Sequence, residues 1–236
     1  MGDNLSMLNL NYIIAAVITM VVSYLLGSIS FSIIITKKSK LKADIRTMGS
    51  GNAGFTNVLR SVGKVQAILT MLGDFLKCVL AILFSRFVFT SKLLFETQNY
   101  ETIQYAAYLA GLCCFLGHIY PCFFNFKGGK GVLTAAAIVL MTDWRIFFIA
   151  IGVFLICLIV SKIVSLSSII AVSVYPISTF VIGYFWDYNF NKVSLQYVLT
   201  VTALSVIISF FIIYSHRSNI KRLKNGTEKK ISVKKN

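Results

Sequence analysis

Four short stretches of this chain carry residues suited to holding and transferring an anionic group. The first is Gly49-Ser50-Gly51-Asn52-Ala53-Gly54-Phe55-Thr56-Asn57-Val58-Leu59-Arg60, preceded by Asp44-Ile45-Arg46. The second is Lys127-Gly128-Gly129-Lys130-Gly131, the third Ser165-Leu166-Ser167-Ser168, and the fourth His216-Arg217-Ser218-Asn219. Together they supply glycines, hydroxyls, amides and fixed cations, an inventory that suits a phosphorylated ligand.

Each stretch also has a plainer reading. A helix from Asn52 would put Asn52, Thr56 and Arg60 on one face at i, i+4 and i+8, with Ser50 as its cap and its N-terminus turned to phosphate. The plainer alternative is a glycine turn with a solvated arginine. In Lys127–Gly131, backbone N–H groups and the ammoniums of Lys127 and Lys130 can surround an anion, or the stretch is a basic turn. It is not a Walker loop, because that pattern asks for glycine where Phe124 stands and a hydroxyl where Gly131 stands. Capping accounts for one of Ser165, Ser167 and Ser168, leaving hydroxyls to bind substrate. His216 and Asn219, at i and i+3, face the same way if the last helix continues. His118 is read as shaping a turn beside Pro121. Asp74 and Lys77, three apart within an apolar run, are read as a structural ion pair rather than as catalysts.

The elements that position these stretches follow from composition. The chain has 236 residues, 57% hydrophobic and 13% charged, with a net charge of +15. A soluble domain is about 45–50% apolar and about 25% charged, so disorder, collagen-like repeats and a disulfide scaffold are excluded. The apolar residues fall in long runs separated by basic stretches, the pattern of a multi-pass membrane protein. Beside such runs the cations orient the chain and meet anionic lipid, and nucleic-acid binding is not expected. The five cysteines contain no CxxC pair and accompany two histidines; they are read as small buried hydrophobes, with no metal site.

Runs at 12–36, 65–90, 102–120, 167–186 and 195–214 are each long enough to cross a bilayer. The first is too long for a removed signal peptide. The stretch 132–160 is either one overlong helix or two short ones turning at Thr142-Asp143-Trp144-Arg145. Two helices give seven spans and gather 18 Lys/Arg on one side, against Arg86, Lys92, Arg145 and Lys192 on the other. The positive-inside bias makes the 18-cation side cytoplasmic, with the N-terminus outside and the C-terminus in. All four polar stretches then share the cytoplasmic face. The expected fold is an all-α bundle of seven membrane helices in a single domain over residues 1–236, with a basic, flexible tail from about 229.

In order, these strings resemble the bacterial acyl-phosphate:glycerol-3-phosphate acyltransferases, the PlsY family. The matching strings include Leu26-Gly27-Ser28-Ile29, Asp44-Ile45-Arg46, the Gly49–Arg60 stretch and Gly117-His118-x-Tyr120-Pro121. They continue through Phe126–Val132, Ser165–Ser168 and His216 to Gly226-Thr227-Glu228. Ser30, Phe55 and Cys78 depart from the usual Pro, Ala and Gly.

The resemblance implies a seven-span inner-membrane enzyme open to the cytoplasm. It would move an acyl chain from an acyl phosphate to the 1-hydroxyl of glycerol 3-phosphate, giving lysophosphatidic acid and phosphate at the first step of phospholipid synthesis. Neither coenzyme A nor acyl carrier protein is the implied donor, and no cofactor or metal is implied. Ser50, Asn52 and His216 are the candidate catalytic residues. Thr56, Arg60, Lys127, Lys130, Ser167, Ser168 and Asn219 are the candidate substrate-binding residues. A transporter of a phosphorylated solute is the competing class, but its site would lie at mid-membrane in broken, repeated helices, and no repeat is seen.

Overall fold

The computed structural model describes residues 2–91 and 99–231, with side chains from Leu10 onward. Lys92, counted above among the outer cations, and the last five residues of the basic tail lie outside these ranges. All regular structure among the described residues is helical. Six segments there are long and apolar enough to cross a membrane: Leu10–Lys38, Lys64–Phe89, Tyr100–Phe124, Trp144–Ser161, Val164–Tyr188 and Leu195–Ser215. Val132–Thr142 is a shorter apolar helix. The chain divides into two compact units, Met1–Thr142 and Asp143–Asn236.

The first unit contains α1 (Gly2–Ser28), α2 (Phe31–Lys38), α3 (Phe55–Ser61), α4 (Lys64–Phe89), α5 (Tyr100–Ile119) and α6 (Val132–Thr142). α4 packs against the other five. The apolar run 12–36 is not one continuous helix. It breaks at Ile29–Ser30, where Ser30 is extended (φ −91°, ψ 97°) and the Ile29 carbonyl accepts a hydrogen bond from Lys77 Nζ at 2.8 Å.

Glycines bring α1 and α5 together. A Cβ on Gly27 would overlap the Cys114 carbonyl, and one on Gly117 would overlap the Tyr24 carbonyl, so the two backbones touch. Gly27→Ala is therefore expected to cost about 1–3 kcal/mol, read as a lower melting temperature of the detergent-solubilised protein. An unchanged melt would show that the crossing has room for a methyl group.

The second unit contains α7 (Trp144–Ser161), α8 (Val164–Ile182), α9 (Leu195–Ser215) and α10 (Arg217–Lys224), and α8 packs against both α7 and α9. The helix break expected within Thr142–Arg145 is present, at Asp143. Asp143 caps α7 by accepting the Arg145 N–H at 2.9 Å. Its carboxylate and that of Asp187 both hold the Arg145 guanidinium at 2.6 Å. Lys162, in the left-handed region at φ 59°, turns the chain from α7 into α8. The Lys162 carbonyl accepts the Ile231 N–H at 2.7 Å, which ties the start of the tail to that turn.

Candidate functional site

In the first unit the glycine-rich stretch is a folded loop anchored from below. Ile45, Ala53 and Val58 are buried with Ile33 of α2 and Ala67 of α4, and Phe55 and Phe124 pack against that cluster. Phe55 thus packs against the core. Asn57 organises the polar side of the loop. Its Oδ1 accepts the Ser50 N–H at 3.0 Å, and its Nδ2 lies 3.1, 2.9 and 3.0 Å from the carbonyl oxygens of Ile45, Met48 and Asn52. A buried amide satisfied on both ends fixes a loop that would otherwise be free to fluctuate.

Two expectations about this stretch are corrected. The helix begins at Phe55, not Asn52, and its N-cap is Gly54 in extended conformation (φ −157°, ψ 167°). Ser50 does not cap it, because its backbone is bound to Asn57 on a loop whose turns use Gly49 (φ 54°) and Gly51 (φ 71°). Thr56 and Arg60 remain one turn apart on α3, while Asn52 approaches from the loop: a Cβ on Gly54 would lie 2.8 Å from its Nδ2. Ser50 and Arg60 are exposed.

Asp44-Ile45-Arg46 joins this loop to the lysine–glycine loop. The Asp44 carboxylate takes the Arg46 backbone N–H at 3.0 Å and its guanidinium at 3.0 and 2.8 Å. The remaining Nη1 reaches the carbonyls of Phe124 at 2.7 Å and Lys127 at 3.3 Å. The Arg46 hydrogen bond holds the Asp44 carboxyl below its usual 3.8 against the opposing effect of burial.

The lysine–glycine loop uses its glycines differently from the expectation of a backbone cradle. Gly128 N–H donates to the Ile119 carbonyl at 3.0 Å and Gly129 N–H to the His118 carbonyl at 3.1 Å, so both serve the end of α5. The glycines permit contact. A Cβ on Gly128 would overlap the His118 carbonyl, one on Gly129 the His118 ring, and one on Gly131 the Phe115 ring. What the loop presents outward is cationic, with Lys127 exposed and Lys130 half-buried. Beneath it, Lys77 Nζ bonds Asp74 at 2.9 Å, the ion pair expected of them, and reaches His118 Nδ1 at 3.1 Å.

The second unit carries the other candidates. Ser167 and Ser168 are buried, and their hydroxyls donate to the Ile163 and Val164 carbonyls, each at 2.9 Å. The protons are spent within α8; the oxygens keep lone pairs for accepting. His216 closes α9 and precedes α10. Its Nδ1 lies 2.8 Å from the Ile212 carbonyl. A carbonyl only accepts, so Nδ1 carries the proton and a neutral ring has its lone pair on Nε2.

Glu228, which closes the Gly226-Thr227-Glu228 string and is not among the candidate site residues, is the hub of this region. Its side chain, 5% exposed, accepts from Ser165 Oγ at 2.7 Å and Asn219 Nδ2 at 2.6 Å, and pairs with Arg222. Burial pushes this carboxyl up, but the bonds from Arg222, Ser165 and Asn219 together hold it below its usual 4.5. Asn57 and Glu228 share one signal, a polar residue inside a motif with no obvious chemistry of its own.

Comparison with known proteins bears on the same stretches. The family model described as glycerol-3-phosphate acyltransferase matches residues 17–226. A glycerol-3-phosphate acyltransferase of Clostridioides difficile (strain 630) is 41% identical over 223 residues, 94% of this chain and 98% of that one. One of Coxiella burnetii (strain Dugway 5J108-111) is 35% identical over 219 residues, covering 93% of this chain and all of its own length. Among solved structures, PlsY, an integral membrane glycerol 3-phosphate acyltransferase, matches in its glycerol 3-phosphate form with a TM-score of 0.74 and 35% identity, covering 92% of this chain and 96% of that one. Its lysophosphatidic acid form matches with a TM-score of 0.72 and 34% identity, covering 92% and 95%. A match of this reach, running through every polar stretch described above except the last residues around Glu228, makes the chain a multi-pass membrane member of the glycerol-3-phosphate acyltransferase family.

Proposed function

We propose that this protein transfers the acyl group of a fatty acyl phosphate to the 1-hydroxyl of glycerol 3-phosphate, releasing lysophosphatidic acid and inorganic phosphate. The observation that carries this reading is the similarity to PlsY, whose solved forms include one with glycerol 3-phosphate and one with lysophosphatidic acid. The chemistry of the chain supports the rest. Both proposed substrates carry phosphate, and Arg60, Lys127 and Lys130 are the cations offered to them. The acyl chain accounts for an enzyme built into lipid.

In the proposed step the 1-hydroxyl oxygen attacks the acyl carbonyl carbon, the bond from that carbon to the phosphate oxygen breaks, and phosphate leaves. Ser50 and Asn52 donate to the oxyanion that forms between these events; a positioned donor of this kind is worth about 10²–10³ in rate. His216 Nε2 accepts the hydroxyl hydrogen bond, and Asn219 holds the same substrate. Thr56, Ser167 and Ser168 complete substrate binding. The departing phosphate oxygen or His216 takes the proton. An acyl phosphate is already activated, so no covalent enzyme intermediate is required. Support for enrolling residues of both units in one reaction comes from the family match, which runs through both.

The proposed setting is a single domain in the bacterial inner membrane, with Val132–Thr142 as the seventh span, the N-terminus outside, and the catalytic residues and C-terminus cytoplasmic. The 18-to-four distribution of Lys/Arg supports this orientation. The direct test incubates purified protein with palmitoyl phosphate and glycerol 3-phosphate and follows phosphate and lysophosphatidic acid. Release of both in equal amounts is expected, with none when palmitoyl-coenzyme A replaces the acyl phosphate. Product from the coenzyme A ester alone overturns the donor, and no product from either overturns the activity. Labelling of single cysteines at positions 127 and 229 from opposite faces would overturn the topology.

A further inference from the structure

We propose that His118, locked in one tautomer by Lys77, is a positioning residue for the lysine–glycine loop, acting on the grip that loop has on substrate phosphate. The inference rests on reading Lys127 and Lys130 as phosphate-binding and adds what holds them in place.

Lys77 is 3% exposed within α4. An ammonium has three N–H donors and no acceptor. Lys77 Nζ has three acceptors in range: the Ile29 carbonyl at 2.8 Å, Asp74 Oδ1 at 2.9 Å and His118 Nδ1 at 3.1 Å. Donors and acceptors match one to one. His118 Nδ1 is therefore the bare nitrogen, and the ring proton sits on Nε2. The contact from Asp74 Oδ1 to the same Nδ1, at 3.6 Å, is too long to compete. With a neutral imidazole the cluster has no net charge, the condition under which two ions persist inside a membrane helix bundle.

The Nε2 end of the ring meets both loops. A Cβ on Gly129 would overlap His118 Nε2 and lie 2.7 Å from the Ala53 carbonyl oxygen. Nε2, Gly129 and the Ala53 carbonyl therefore crowd one point. The backbone of the same residue accepts the Gly129 N–H at 3.1 Å, and that of the next accepts the Gly128 N–H at 3.0 Å. One histidine thus bonds the loop through its backbone carbonyl and abuts it with its ring. A segment with three glycines in five residues loses much entropy on ordering. A ring fixed in orientation by a buried ion pair and packed against Gly129 meets part of that cost before substrate arrives, which is preorganisation.

The test compares His118→Asn and His118→Gln with the parent. The Gln amide extends to the place of Nε2 and refills the contact with Gly129; the shorter Asn amide ends near Nδ1. His118→Asn is expected to raise the KM for glycerol 3-phosphate or acyl phosphate about tenfold, with kcat within about threefold. His118→Gln is expected to return that KM to within about threefold of the parent. Amide hydrogen exchange over residues 127–131 should quicken in the Asn variant and not in the Gln variant. Equal KM values in the two variants, or a fall in kcat with both KM values unchanged, overturn the proposal. Gly129→Ala approaches from the loop side without touching the ion pair; it should raise the same KM, and an unchanged KM overturns the proposal even if His118→Asn fails to fold. Lys130→Ala separates the two readings. If it moves neither KM, the phosphate role of the loop fails, while hydrogen exchange still reports whether the ring holds the loop.

Discussion

Turnover of a His216→Ala variant is expected to fall by about 10²-fold or more, with the protein still extracting and purifying as a single folded species. The reason lies in the ring's orientation. With Nδ1–H held by the Ile212 carbonyl at 2.8 Å, the imidazole can offer a lone pair only from Nε2. That nitrogen is the group proposed to meet the 1-hydroxyl of glycerol 3-phosphate. Removing it takes away both alignment of the nucleophile and an acceptor for its proton. The pH profile separates the two contributions. If Nε2 takes the proton, the fall in kcat/KM on the acid side, where the imidazole is protonated, disappears in the variant along with most of the rate. If a phosphate oxygen takes it, the acid limb survives and the loss appears chiefly as a higher KM for glycerol 3-phosphate. A variant with parental kcat and KM would remove His216 from the site.

The second large effect is structural. Glu228→Ala leaves Ser165, Asn219 and Arg222 without the carboxylate they share, in a place where that carboxylate is 5% exposed. Orphaned donors of this kind cost about 1–3 kcal/mol each when fully buried; because Arg222 is 38% exposed, a total of about 2–3 kcal/mol is expected. Activity should fall with it, since Asn219 loses its bond to this carboxylate. Glu228→Gln, which keeps an oxygen for Ser165 or Asn219, should lose less. The same residue gives a pH dependence whose sign is fixed. Its carboxyl sits below the usual 4.5 in the folded state, so its stabilisation is complete above that value and is withdrawn as pH falls through the lower, folded one. Thermal melts of the parent should therefore drop on acidification below pH 4.5 more steeply than those of Glu228→Gln.

Much of this architecture was legible in the chain because membrane spans are written in composition. Apolar runs located the long helices to within a few residues, and the Asp143 turn followed from charge balance as much as from hydropathy. The misreadings share a cause. Ser50 looked like a cap because it precedes a helical-looking string, but the Asn57 side chain captures the loop and delays the helix to Phe55. Gly128 and Gly129 looked like phosphate donors because glycine frees the backbone; their N–H groups bond to α5, and what the sequence could not show is that α5 ends directly beneath them. Glu228 was visible in its motif, yet its partners Ser165 and Asn219 lie 63 and 9 residues away. Local pattern names the parts of such a hub and is silent on the side-chain geometry that assembles it.

The interruption between α1 and α2 bears on how this sequence is free to drift. Proline breaks a helix by lacking an N–H, yet the residue at this break is Ser30. Here the kink survives without it, since Lys77 draws the Ile29 carbonyl out of the helical ladder from the side. With the lysine in place, Ser30→Pro is expected to leave the kink and the melting temperature little changed. Exchange of the lysine itself is closed: a chain that gave up the ammonium would strand the Asp74 carboxylate in hydrocarbon, whatever residue occupied position 30.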